Sequence, residues 1–352
     1  MKIAFTMSWL RGGGAERVVC ELANTFSEIG HEISILVTKS ADCAYFLNAQ
    51  IRLIDLSEYD HGILSRIRAV RRCLQDHAFD VVISFLTGTN IETIMAAYGT
   101  KIPVIVSERN NPHVDPRSKI SRFLRAVTYP HADGYVFQTP DARDFFHKKI
   151  QKKSVVIQNP INPELPDVWL GERERRVVNV GRLFPQKNQK LFIDAFAEFR
   201  KEHPEFIAEI YGDGPLEQEL REYIRSRHLE DAVFLRGFSK TVLYDIRNAS
   251  MFVLSSDYEG MSNALIEAVG MGIPCISTDH PIGGARITIT DEVNGYLVPV
   301  GDIKAMADKM AQIADHNEIS QYLSANGLSL REQLSVRCIA EEWLTYIRHI
   351  QT

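Results

Sequence analysis

The sequence predicts an α/β fold made of two Rossmann-like, doubly wound domains that face each other across a central cleft. Its 352 residues exceed the roughly 100 to 200 of a usual single domain. Short β-rich runs also alternate with longer helical patterns in both halves of the chain. This βαβ rhythm is typical of parallel sheets that are covered by helices on both faces.

The first half of the chain predicts one such domain, over residues 1–160. Strands are predicted at residues 2–7, 32–38, 81–85, 104–107, 134–138 and 154–158. Helical patterns cover residues 15–29 and 63–74. The Pro-rich polar segment 159–166 then predicts a linker between the domains.

The second half repeats the pattern and predicts a second domain over residues 161–334. Strands are predicted at residues 176–180, 207–211, 233–235, 251–254, 274–278 and 295–298, and helices at 187–203, 215–227 and 263–271. We expect the last amphipathic helix, within residues 335–352, to pack back onto the first domain.

Composition narrows the functional class. The charged fraction of 24% and the hydrophobic fraction of 45% are ordinary for a globular enzyme. No window approaches the roughly 18 apolar residues of a membrane span, and no secretory leader is evident, so we expect a cytoplasmic protein. The five scattered cysteines are interpreted as reduced thiols.

Charge is distributed unevenly along the chain. Residues 1–160 carry 20 Lys and Arg against 16 Asp and Glu, a balance of +4, whereas the remainder carries −9. The basic half is a candidate for binding an anionic partner, with an ordinary solvated surface as the alternative. Because the net charge is −5 and no nucleic-acid module is present, we predict no nucleic-acid partner.

The strongest motif follows the predicted strand 251–254 and carries two glutamates, Glu259 and Glu267. If Ser262 or Asn263 caps the next helix, its free N–H groups point out of the sheet's carboxyl end, where a diphosphate binds. The two carboxylates can accept hydrogen bonds from sugar or ribose hydroxyls. The loop residues predicted to line this site are Gly260, Met261, Ser262 and Asn263.

A second motif follows the strand 176–180 and contains Gly181, Arg182 and Lys187. The glycine allows a sharp turn, and the two cations point toward the next helix N-terminus, where backbone donors add to their charge. We interpret this loop as a metal-free diphosphate clamp, because no Asp-x-Asp metal motif occurs in the sequence. We therefore predict no metal ligands and no cofactor beyond the nucleotide sugar.

These motifs, with the segment 212–215, resemble the retaining GT-B glycosyltransferases of family 4, also called group 1. The resemblance covers most of residues 176–302. It implies that Arg182 and Lys187 hold the donor diphosphate, that Glu267 holds the ribose, and that Glu259 faces the donor sugar. Arg182, Lys187 and Glu259 are the catalytic residues that it implies. Each of these residues could instead be an ordinary surface or helix-terminal charge.

The resemblance also implies a nucleobase pocket near Gly237 and Phe238, with Gly212 lining it. The alternatives are that Phe238 is a core residue and that residues 212–215 form a plain strand-to-helix turn.

Near the N-terminus, residues 11–17 form a Gly-rich loop that opens a helix, as a phosphate-approach loop does. Arg17 stands where a dinucleotide fingerprint requires glycine, and no acidic residue closes the second strand, so a nicotinamide-dependent oxidoreductase is disfavoured. The family resemblance implies that Gly13 and Gly14 lie under the donor diphosphate and the acceptor. A simple tight turn is the alternative.

The segment 107–113 follows a strand of the first domain, so its polar side chains are expected to enter the cleft from the acceptor side. Some relatives place a histidine directly after the Ser-Glu pair, whereas this chain has Arg109 after Glu108. His113 is therefore a candidate catalytic base, with a surface or structural role as the alternative.

Two basic amphipathic stretches lie in the first half, over residues 63–74 and 117–125. Such stretches suit anionic lipid headgroups or a pyrophosphate-linked acceptor, and ordinary surface helices are the alternative. Their predicted contact residues are Arg66, Arg68, Arg71, Arg72, Lys119, Arg122 and Arg125.

The segment 122–130 is similar to bacterial transferases that extend polyprenyl-diphosphate-linked oligosaccharides. The resemblance implies an N-acetylhexosamine or hexose transferase that uses a UDP-sugar, such as UDP-N-acetylgalactosamine. It would act on a lipid-linked saccharide during surface polysaccharide or glycan assembly. We expect the enzyme to lie peripherally on the inner face of the cytoplasmic membrane. The alternatives are a sugar-nucleotide epimerase or hydrolase of the same fold, and a non-catalytic sugar-nucleotide-binding protein.

Overall fold

A computed structural model describes residues 1–351 of the chain. The Cα positions divide into two compact units. One contains Met1–Pro160 together with the segment that begins at Val336, and the other contains Ile161–Ser335. Each unit is built on its own parallel sheet, with helices along the connections between strands.

The first unit has a seven-stranded sheet in the order β3-β2-β1-β4-β5-β6-β7. Its strands are β1 Lys2–Met7, β2 Glu32–Val37, β3 Arg52–Asp55, β4 Val81–Phe85, β5 Val104–Glu108, β6 Gly134–Phe137 and β7 Ser154–Val156. Its helices up to the linker are α1 Gly14–Glu28, α2 Ile63–His77, α3 Thr87–Ala97, α4 Lys119–Thr128, α5 Pro140–Asp144 and α6 Lys148–Gln151. The central strands are buried on both faces, which explains their almost uninterrupted apolar sequences.

The second unit has a six-stranded sheet in the order β10-β9-β8-β11-β12-β13. Its strands are β8 Glu174–Val180, β9 Ile207–Tyr211, β10 Val233–Gly237, β11 Ala249–Leu254, β12 Cys275–Thr278 and β13 Tyr296–Val298. Its helices are α7 Gln189–Phe199, α8 Glu217–Ser226, α9 Val242–Ile246, α10 Asn263–Gly270, α11 Ile303–Asp315, α12 Asn317–Gly327 and α13 Leu330–Gln333. Apolar side chains of α7, α11 and the strands form the core on one face of the sheet.

The C-terminal helix α14, Val336–Gln351, belongs to the first unit and packs against α1. Trp343 is fully buried, and its ring stacks on Phe85 with centroids 5.7 Å apart. The hydroxyl of Tyr346 accepts a hydrogen bond from the backbone N–H of Tyr135 at 2.8 Å. The first unit is therefore built from two separate segments of the sequence, with the second unit between them along the chain.

The predicted start of the helix after β8 is wrong by two residues. Asn188 adopts a left-handed conformation with φ of 43°, and its side chain accepts a hydrogen bond from the N–H of Leu191. This cap starts α7 at Gln189, so Lys187 lies on the loop and not on the helix. The short edge strand β3 and the helix α3 are further elements that the sequence patterns did not indicate.

Candidate functional site

The strongest sequence motifs meet where the strand order of the second sheet reverses. β8 and β11 are adjacent and parallel, although β9, β10 and three helices separate them along the chain. The loop after β8 carries Arg182 and Lys187, and the loop after β11 carries Glu259. In open α/β sheets the carboxyl ends of the strands at such a reversal form a ligand-binding crevice.

Two glycines bring the loop after β9 against the loop after β8. Gly212 has φ of +135°, and a Cβ atom there would lie 2.1 Å from the carbonyl oxygen of Gly181. A Cβ atom on Gly214, where φ is +154°, would lie 2.5 Å from the carbonyl oxygen of Leu183. The backbone N–H of Leu183 donates to the oxygen of Asp213 at 2.7 Å. The glycines are required for this close approach of two backbones.

Lys187 and Glu259 form an ion pair at the centre of the site. Lys187 Nζ lies 2.6 Å from Glu259 Oε1, and the two side chains are only 15% and 10% exposed. Ser256 Oγ donates to Oε1 at 2.8 Å, and Gln186 Nε2 donates to Oε2 at 3.2 Å. Burial raises the pKa of Glu259, but the Lys187 charge and these hydrogen bonds outweigh it, so the pKa is lowered. Glu259 is therefore a carboxylate near neutral pH, able to accept hydrogen bonds.

Backbone contacts fix the two loops against each other. Ser255 Oγ donates to the carbonyl oxygen of Lys187 at 2.9 Å, and the N–H of Asp257 donates to the oxygen of Gln186 at 2.9 Å. Asn188 Nδ2 donates to Asp257 Oδ1 at 2.7 Å. The ion pair is thus held by the fold on both sides.

The loop after β11 ends at the N-terminus of α10, where Ser262 occupies the N-cap position. The Ser262 side chain does not cap the helix, and its buried Oγ has no hydrogen-bond partner among the described residues. Gly260, Met261 and Ser262 are buried, Asn263 is half-buried, and Glu267 lies in the helix with 8% exposure. A helix N-terminus with free backbone donors can bind an anion.

Arg182 is exposed, and its guanidinium carbon lies 4.9 Å from the centroid of the Phe184 ring. Gly237 ends β10 with φ of +73°, and its carbonyl oxygen accepts from the N–H of Gly212 at 2.8 Å. Phe238 is 68% exposed, so the alternative that it is a core residue is wrong. Gly212 and Gly237 therefore lie side by side at the same sheet edge as Lys187.

In the first unit, the Gly-rich loop leads into α1, which begins at Gly14 with Gly13 as its N-cap. A Cβ atom on Gly13 would lie 2.1 Å from the carboxylate oxygen Oε2 of Glu16. The Tyr45 hydroxyl donates to the carbonyl oxygen of Gly13 at 2.9 Å. In this structure the loop therefore carries a carboxylate of its own beside the helix N-terminus.

Glu108 is buried at the end of β5. It accepts hydrogen bonds from the hydroxyls of Thr87, at 3.1 Å, and Tyr129. Burial raises the pKa of Glu108, and the hydrogen bonds from Tyr129 and Thr87 and the charge of Arg125 offset only part of that rise.

Arg109 is also buried and points into the first unit. Its Nη1 donates to Asn159 Oδ1 at 2.7 Å, and its guanidinium lies 4.5 Å from the centroid of Phe85 and 5.7 Å from that of Trp343. Arg109 was predicted at the acceptor or membrane surface. Arg109 is only 6% exposed, so its charge does not face a membrane surface. The guanidinium packs instead against Phe85 and against Trp343 of α14.

His113 is exposed, and its ring packs edge-on against Phe145 with centroids 4.6 Å apart. The carbonyl oxygens of His113 and Pro116 accept hydrogen bonds from Arg122, at 3.3 and 2.7 Å. Among the described residues, no hydrogen bond, ion pair or ring contact joins the His113 ring to another predicted site residue.

Besides Arg122, three of the predicted surface arginines have structural partners. Arg66 Nη2 lies 2.5 Å from Glu92 Oε1, and its Nη1 lies 2.6 Å from Asp60. Arg125 is buried and donates to the carbonyl oxygens of Asp115 and Pro112, at 2.8 and 3.0 Å. Arg71 donates to the backbone oxygens at the end of α3. The prediction that these groups present charge to a membrane is wrong for Arg66 and Arg125, since their charges are directed inward.

Arg68, Arg72, Lys119 and Arg122 remain exposed. On α4 the apolar side chains of Ile120, Phe123 and Val127 are 72%, 67% and 50% exposed. These positions recur at helical spacing, so we call them the α4 apolar stripe. Among residues 1–351, no helix combines the length and apolar character needed to span a bilayer.

The loop that follows β12 was not predicted from the sequence. His280 is fully buried there, Ile282 has φ of +66°, and a Cβ atom on Gly284 would lie 1.7 Å from the carbonyl oxygen of Gly260. The Gly283-Gly284 pair after Pro281 was the signal that could have identified this turn. No cluster of three His, Cys, Asp or Glu side chains arranged to hold a metal occurs in the described part of the chain.

Comparison with known proteins places these loops in a family. Residues 12–165 match the model of glycosyltransferase family 4, and residues 164–329 match that of the group 1 glycosyl transferases. The chain is also 32% identical, over 100% of its own length and 99% of the relative's, to a Campylobacter jejuni protein. That relative is the GalNAc-α-(1→4)-GalNAc-α-(1→3)-diNAcBac-PP-undecaprenol α-1,4-N-acetyl-D-galactosaminyltransferase. The chain belongs to the family 4, group 1 glycosyltransferases.

A second Campylobacter jejuni relative of this glycosyltransferase is 25% identical over 98% of this chain and 99% of its own. Its name is N-acetylgalactosamine-N,N'-diacetylbacillosaminyl-diphospho-undecaprenol 4-α-N-acetylgalactosaminyltransferase.

Solved structures confirm the predicted GT-B fold. HepE of Anabaena, solved with UDP and glucose, superimposes with a TM-score of 0.85 at 18% identity, covering 99% of both chains. The lipopolysaccharide outer core galactosyltransferase WaaB gives 0.79 at 21% identity, again over 99% of both chains. These likenesses show the fold; that the chain is an enzyme that transfers a sugar follows from its family and its 32% identical relative.

Proposed function

We propose that this glycosyltransferase moves an N-acetylhexosamine, with its anomeric configuration retained, from a UDP-sugar to a lipid-linked saccharide. We also propose that it needs no metal ion. The donor assignment rests on one observation. Lys187, Glu259 and the N-terminus of α10 lie at the same edge of the second sheet, where its strand order reverses. The acceptor half rests on the names of two relatives that share nearly the whole chain.

The diphosphate is assigned to Arg182, Lys187 and the backbone donors ahead of α10, with Gly260, Met261, Ser262 and Asn263 around them. As the bond to the anomeric carbon breaks, negative charge develops on the leaving diphosphate. Two cations and a helix N-terminus stabilise that charge. A bound divalent cation stabilises it in other transferases. Lys187 would then share its ammonium group between Glu259 and the diphosphate.

The two glutamates are assigned to hydroxyl groups of the donor. Glu259, ionised and fixed by Ser256 and Gln186, accepts from the sugar, and Glu267 accepts from the ribose. Gly212, Gly237 and Phe238 lie at the neighbouring strand ends and are assigned to the nucleobase. Gly13 and Gly14 of the first unit are assigned to the donor diphosphate by family resemblance.

Front-face attack is the mechanism proposed for retention. The acceptor hydroxyl attacks the anomeric carbon from the side that the diphosphate leaves, and a donor phosphate oxygen takes the hydroxyl proton. No protein nucleophile is then required. Glu108 and Arg109 are assigned to the acceptor side as buried supports of the loop that follows β5, and His113 is the alternative to the donor phosphate oxygen as the base.

We propose further that the enzyme works on the inner face of the cytoplasmic membrane. The α4 apolar stripe is flanked by exposed Arg117, Lys119 and Arg122, and Arg68 and Arg72 are exposed on α2. Exposed apolar residues among cations favour binding at the surface of an anionic bilayer. Such binding would bring the enzyme to a lipid-linked acceptor in surface polysaccharide or glycan assembly.

A donor and acceptor panel tests the proposal. Purified protein is incubated with UDP-, GDP- and ADP-sugars, each with and without undecaprenyl-diphosphate-linked saccharides, in the presence and absence of EDTA. We expect a product only with a UDP-N-acetylhexosamine and a lipid-linked acceptor, and equal yield with EDTA. Donor conversion without any acceptor would indicate an epimerase or hydrolase, and donor binding with no product would indicate a non-catalytic protein.

Retention is tested on the same product. The coupling constant of the new anomeric proton in the NMR spectrum distinguishes an α- from a β-linkage. An α-linkage from an α-linked UDP-sugar supports front-face attack, whereas a β-linkage overturns it. Loss of activity in EDTA that returns with Mg²⁺ would overturn the metal-free clamp.

A further inference from the structure

The loop after β12 holds a buried histidine that the assigned donor contacts do not use. His280 is fully buried, and its Nε2 atom has no hydrogen-bond partner among the described residues. Leaving a buried polar atom unpaired costs about 1 to 3 kcal/mol, and native proteins leave few of them unpaired. The described part of the chain therefore supplies no hydrogen-bond partner for His280 Nε2.

The His280 ring lies beside the loop after β11, which carries Glu259. A Cβ atom on Gly284 would meet both the carbonyl oxygen of Gly260, at 1.7 Å, and His280 Cε1, at 3.1 Å. Gly284 thus brings the β12 loop into backbone contact with the residue that follows Glu259. The charged groups that act on the pKa of His280 are Glu259, Lys187 and Asp279, and the first two form the ion pair of the donor site.

The loop conformation fixes the ring in this place. Ile282 has φ of +66°, which a β-branched residue rarely adopts, and Gly283 follows with φ of +70°. Gly284 then allows no side chain at the crossing with Gly260. Backbone strain of this kind persists where the surrounding structure holds a functional group in position.

The tautomer of His280 defines the chemistry of its free nitrogen. Nδ1 lies 3.3 Å from the carbonyl oxygen of Pro281, and a carbonyl can only accept, so Nδ1 carries the proton and donates. Nε2 is then the unprotonated nitrogen of a neutral imidazole. Burial lowers the pKa of His280, and the charge of Glu259 opposes this only in part. The lowered pKa keeps the ring neutral near pH 7.

We infer that His280 is a specificity-determining residue whose Nε2 accepts a hydrogen bond from a hydroxyl group of the donor sugar. This inference rests on the proposed function, because it takes the sugar to lie beside Glu259. A nitrogen that accepts can pair with a ring O–H or with the N–H of an N-acetyl group, and it gives no contact to the acetyl carbonyl oxygen, which can only accept. We assign a ring O–H as the partner, and donors with single hydroxyls replaced by fluorine distinguish it from the N–H. His280 therefore reads the hydroxyl pattern of the hexosamine ring.

The test compares UDP with UDP-N-acetylgalactosamine as ligands of wild type, His280→Gln and His280→Leu. Calorimetry measures both dissociation constants, and the KM of the sugar nucleotide is measured by turnover. We expect His280→Leu to raise the constant for the sugar nucleotide by roughly 10- to 100-fold, as loss of a buried hydrogen bond does, and to leave that for UDP unchanged. We expect His280→Gln, whose amide oxygen can accept at the position of Nε2, to restore most of the affinity.

Donors with one ring hydroxyl replaced by fluorine identify the partner, because fluorine cannot donate a hydrogen bond. At one ring position, the fluorine substitution should weaken donor binding by wild type but should not weaken donor binding by His280→Leu any further. The two changes would then be non-additive, as expected for two groups that contact each other. Equal loss in both proteins at every ring position would overturn the inference. Equal weakening of UDP and of the sugar nucleotide by His280→Leu would also overturn it, since that indicates collapse of the loop.

His203→Leu is the matched control, because His203 is a second histidine of the same unit, stacked on Phe199 of α7 at 4.5 Å. It should change neither constant. If wild type bound neither UDP nor the sugar nucleotide, the proposed function would fail first, and the inference about His280 with it.

Discussion

The sheet edge of the second unit and the basic surface of the first unit use charge in opposite ways. At the second-unit edge, Lys187 and Glu259 are buried against each other and locked by neighbouring loops. In the first unit, Arg66 and Arg125 bind partners within the unit, and exposed cations flank the α4 apolar stripe. A buried pair fixes geometry for one ligand, whereas scattered exposed charge suits a broad anionic surface.

This difference follows from how each region is made. The second-unit loops approach so closely that Gly212, Gly214 and Gly284 cannot be replaced by larger residues without movement. On α4, by contrast, Ile120 and Phe123 have room on the surface. Rigid placement is what transition-state stabilisation requires, and exposure is what docking to a surface requires.

The largest expected effect is on turnover. Lys187→Met should lower kcat on the order of 100- to 1,000-fold, because it removes a cation from the leaving diphosphate. Arg182→Ala should act in the same direction without loss of fold, since Arg182 is exposed. Initial rates of sugar transfer measure both. Near-wild-type transfer by either variant would contradict the clamp.

The next effect is on stability and its pH dependence. Lys187→Met leaves the Glu259 carboxylate buried without its cation, so the free energy of unfolding should fall by about 3 kcal/mol at neutral pH. The pKa of Glu259 is lowered in the folded wild type, so the pair's contribution is present above pH 4.5 and lost as pH falls through the folded pKa.

Urea unfolding at pH 7 and at pH 4 should therefore show a difference between wild type and variant that shrinks in acid. Lys190→Met is the control, because Lys190 and Glu219 form an exposed pair at 2.6 Å that should contribute less than about 1 kcal/mol. A difference that stays constant or grows in acid would mean that Lys187 does not stabilise the Glu259 carboxylate.

A smaller effect is expected on membrane binding. The double variant Ile120→Ser and Phe123→Ser should bind vesicles of anionic lipid roughly 10- to 50-fold more weakly, because each apolar side chain contributes about 0.7 to 1.2 kcal/mol when it is partly buried in the bilayer surface. Sedimentation with vesicles measures this. Leu170→Ser is the control, since Leu170 is 92% exposed in the second unit. Equal binding by the double variant would remove the α4 apolar stripe as a docking surface.

Single arginine variants separate surface charge from structural charge. Arg68→Gln and Arg72→Gln should each weaken binding to the same vesicles about 5-fold and leave the melting temperature unchanged. Arg125→Gln should instead lower the melting temperature, because the carbonyl oxygens of Asp115 and Pro112 lose their donor. If Arg125→Gln weakened vesicle binding alone, its inward placement would not describe the protein in solution.

The smallest effect is expected at His113. Its exposed ring packs on Phe145, and front-face attack needs no protein base, so His113→Ala should lower kcat by less than about 10-fold. A pH profile of kcat is the accompanying measurement. A loss of 100-fold or more, with the loss of one limb of that pH profile, would instead make His113 the base.

The fold and the donor motifs could be predicted because they are local. Apolar strands buried on both faces are continuous in sequence, and the residues after β8 and β11 carry their chemistry within one loop each. Parallel strands bring such loops to one edge whatever their separation, so Lys187 and Glu259 could be expected near each other before their ion pair was seen.

The remaining features depend on tertiary contacts. Arg66 and Arg125 match an amphipathic pattern and Arg109 follows a strand, but the groups that hold them are Glu92, the backbone near Asp115 and Phe85, which those local patterns do not indicate. The burial of His280 likewise depends on the crossing of Gly284 with Gly260. A helical pattern shows which residues share a face and leaves open which neighbour covers it.

A crystal structure of the full chain with UDP would locate the donor diphosphate. We expect it within hydrogen-bonding distance of Arg182, Lys187 and the backbone N–H groups at the start of α10, with Glu267 at the ribose. Lys187 Nζ should then lie between the diphosphate and Glu259. A diphosphate bound elsewhere, with the Lys187 and Glu259 pair untouched, would contradict the assignment of the donor site.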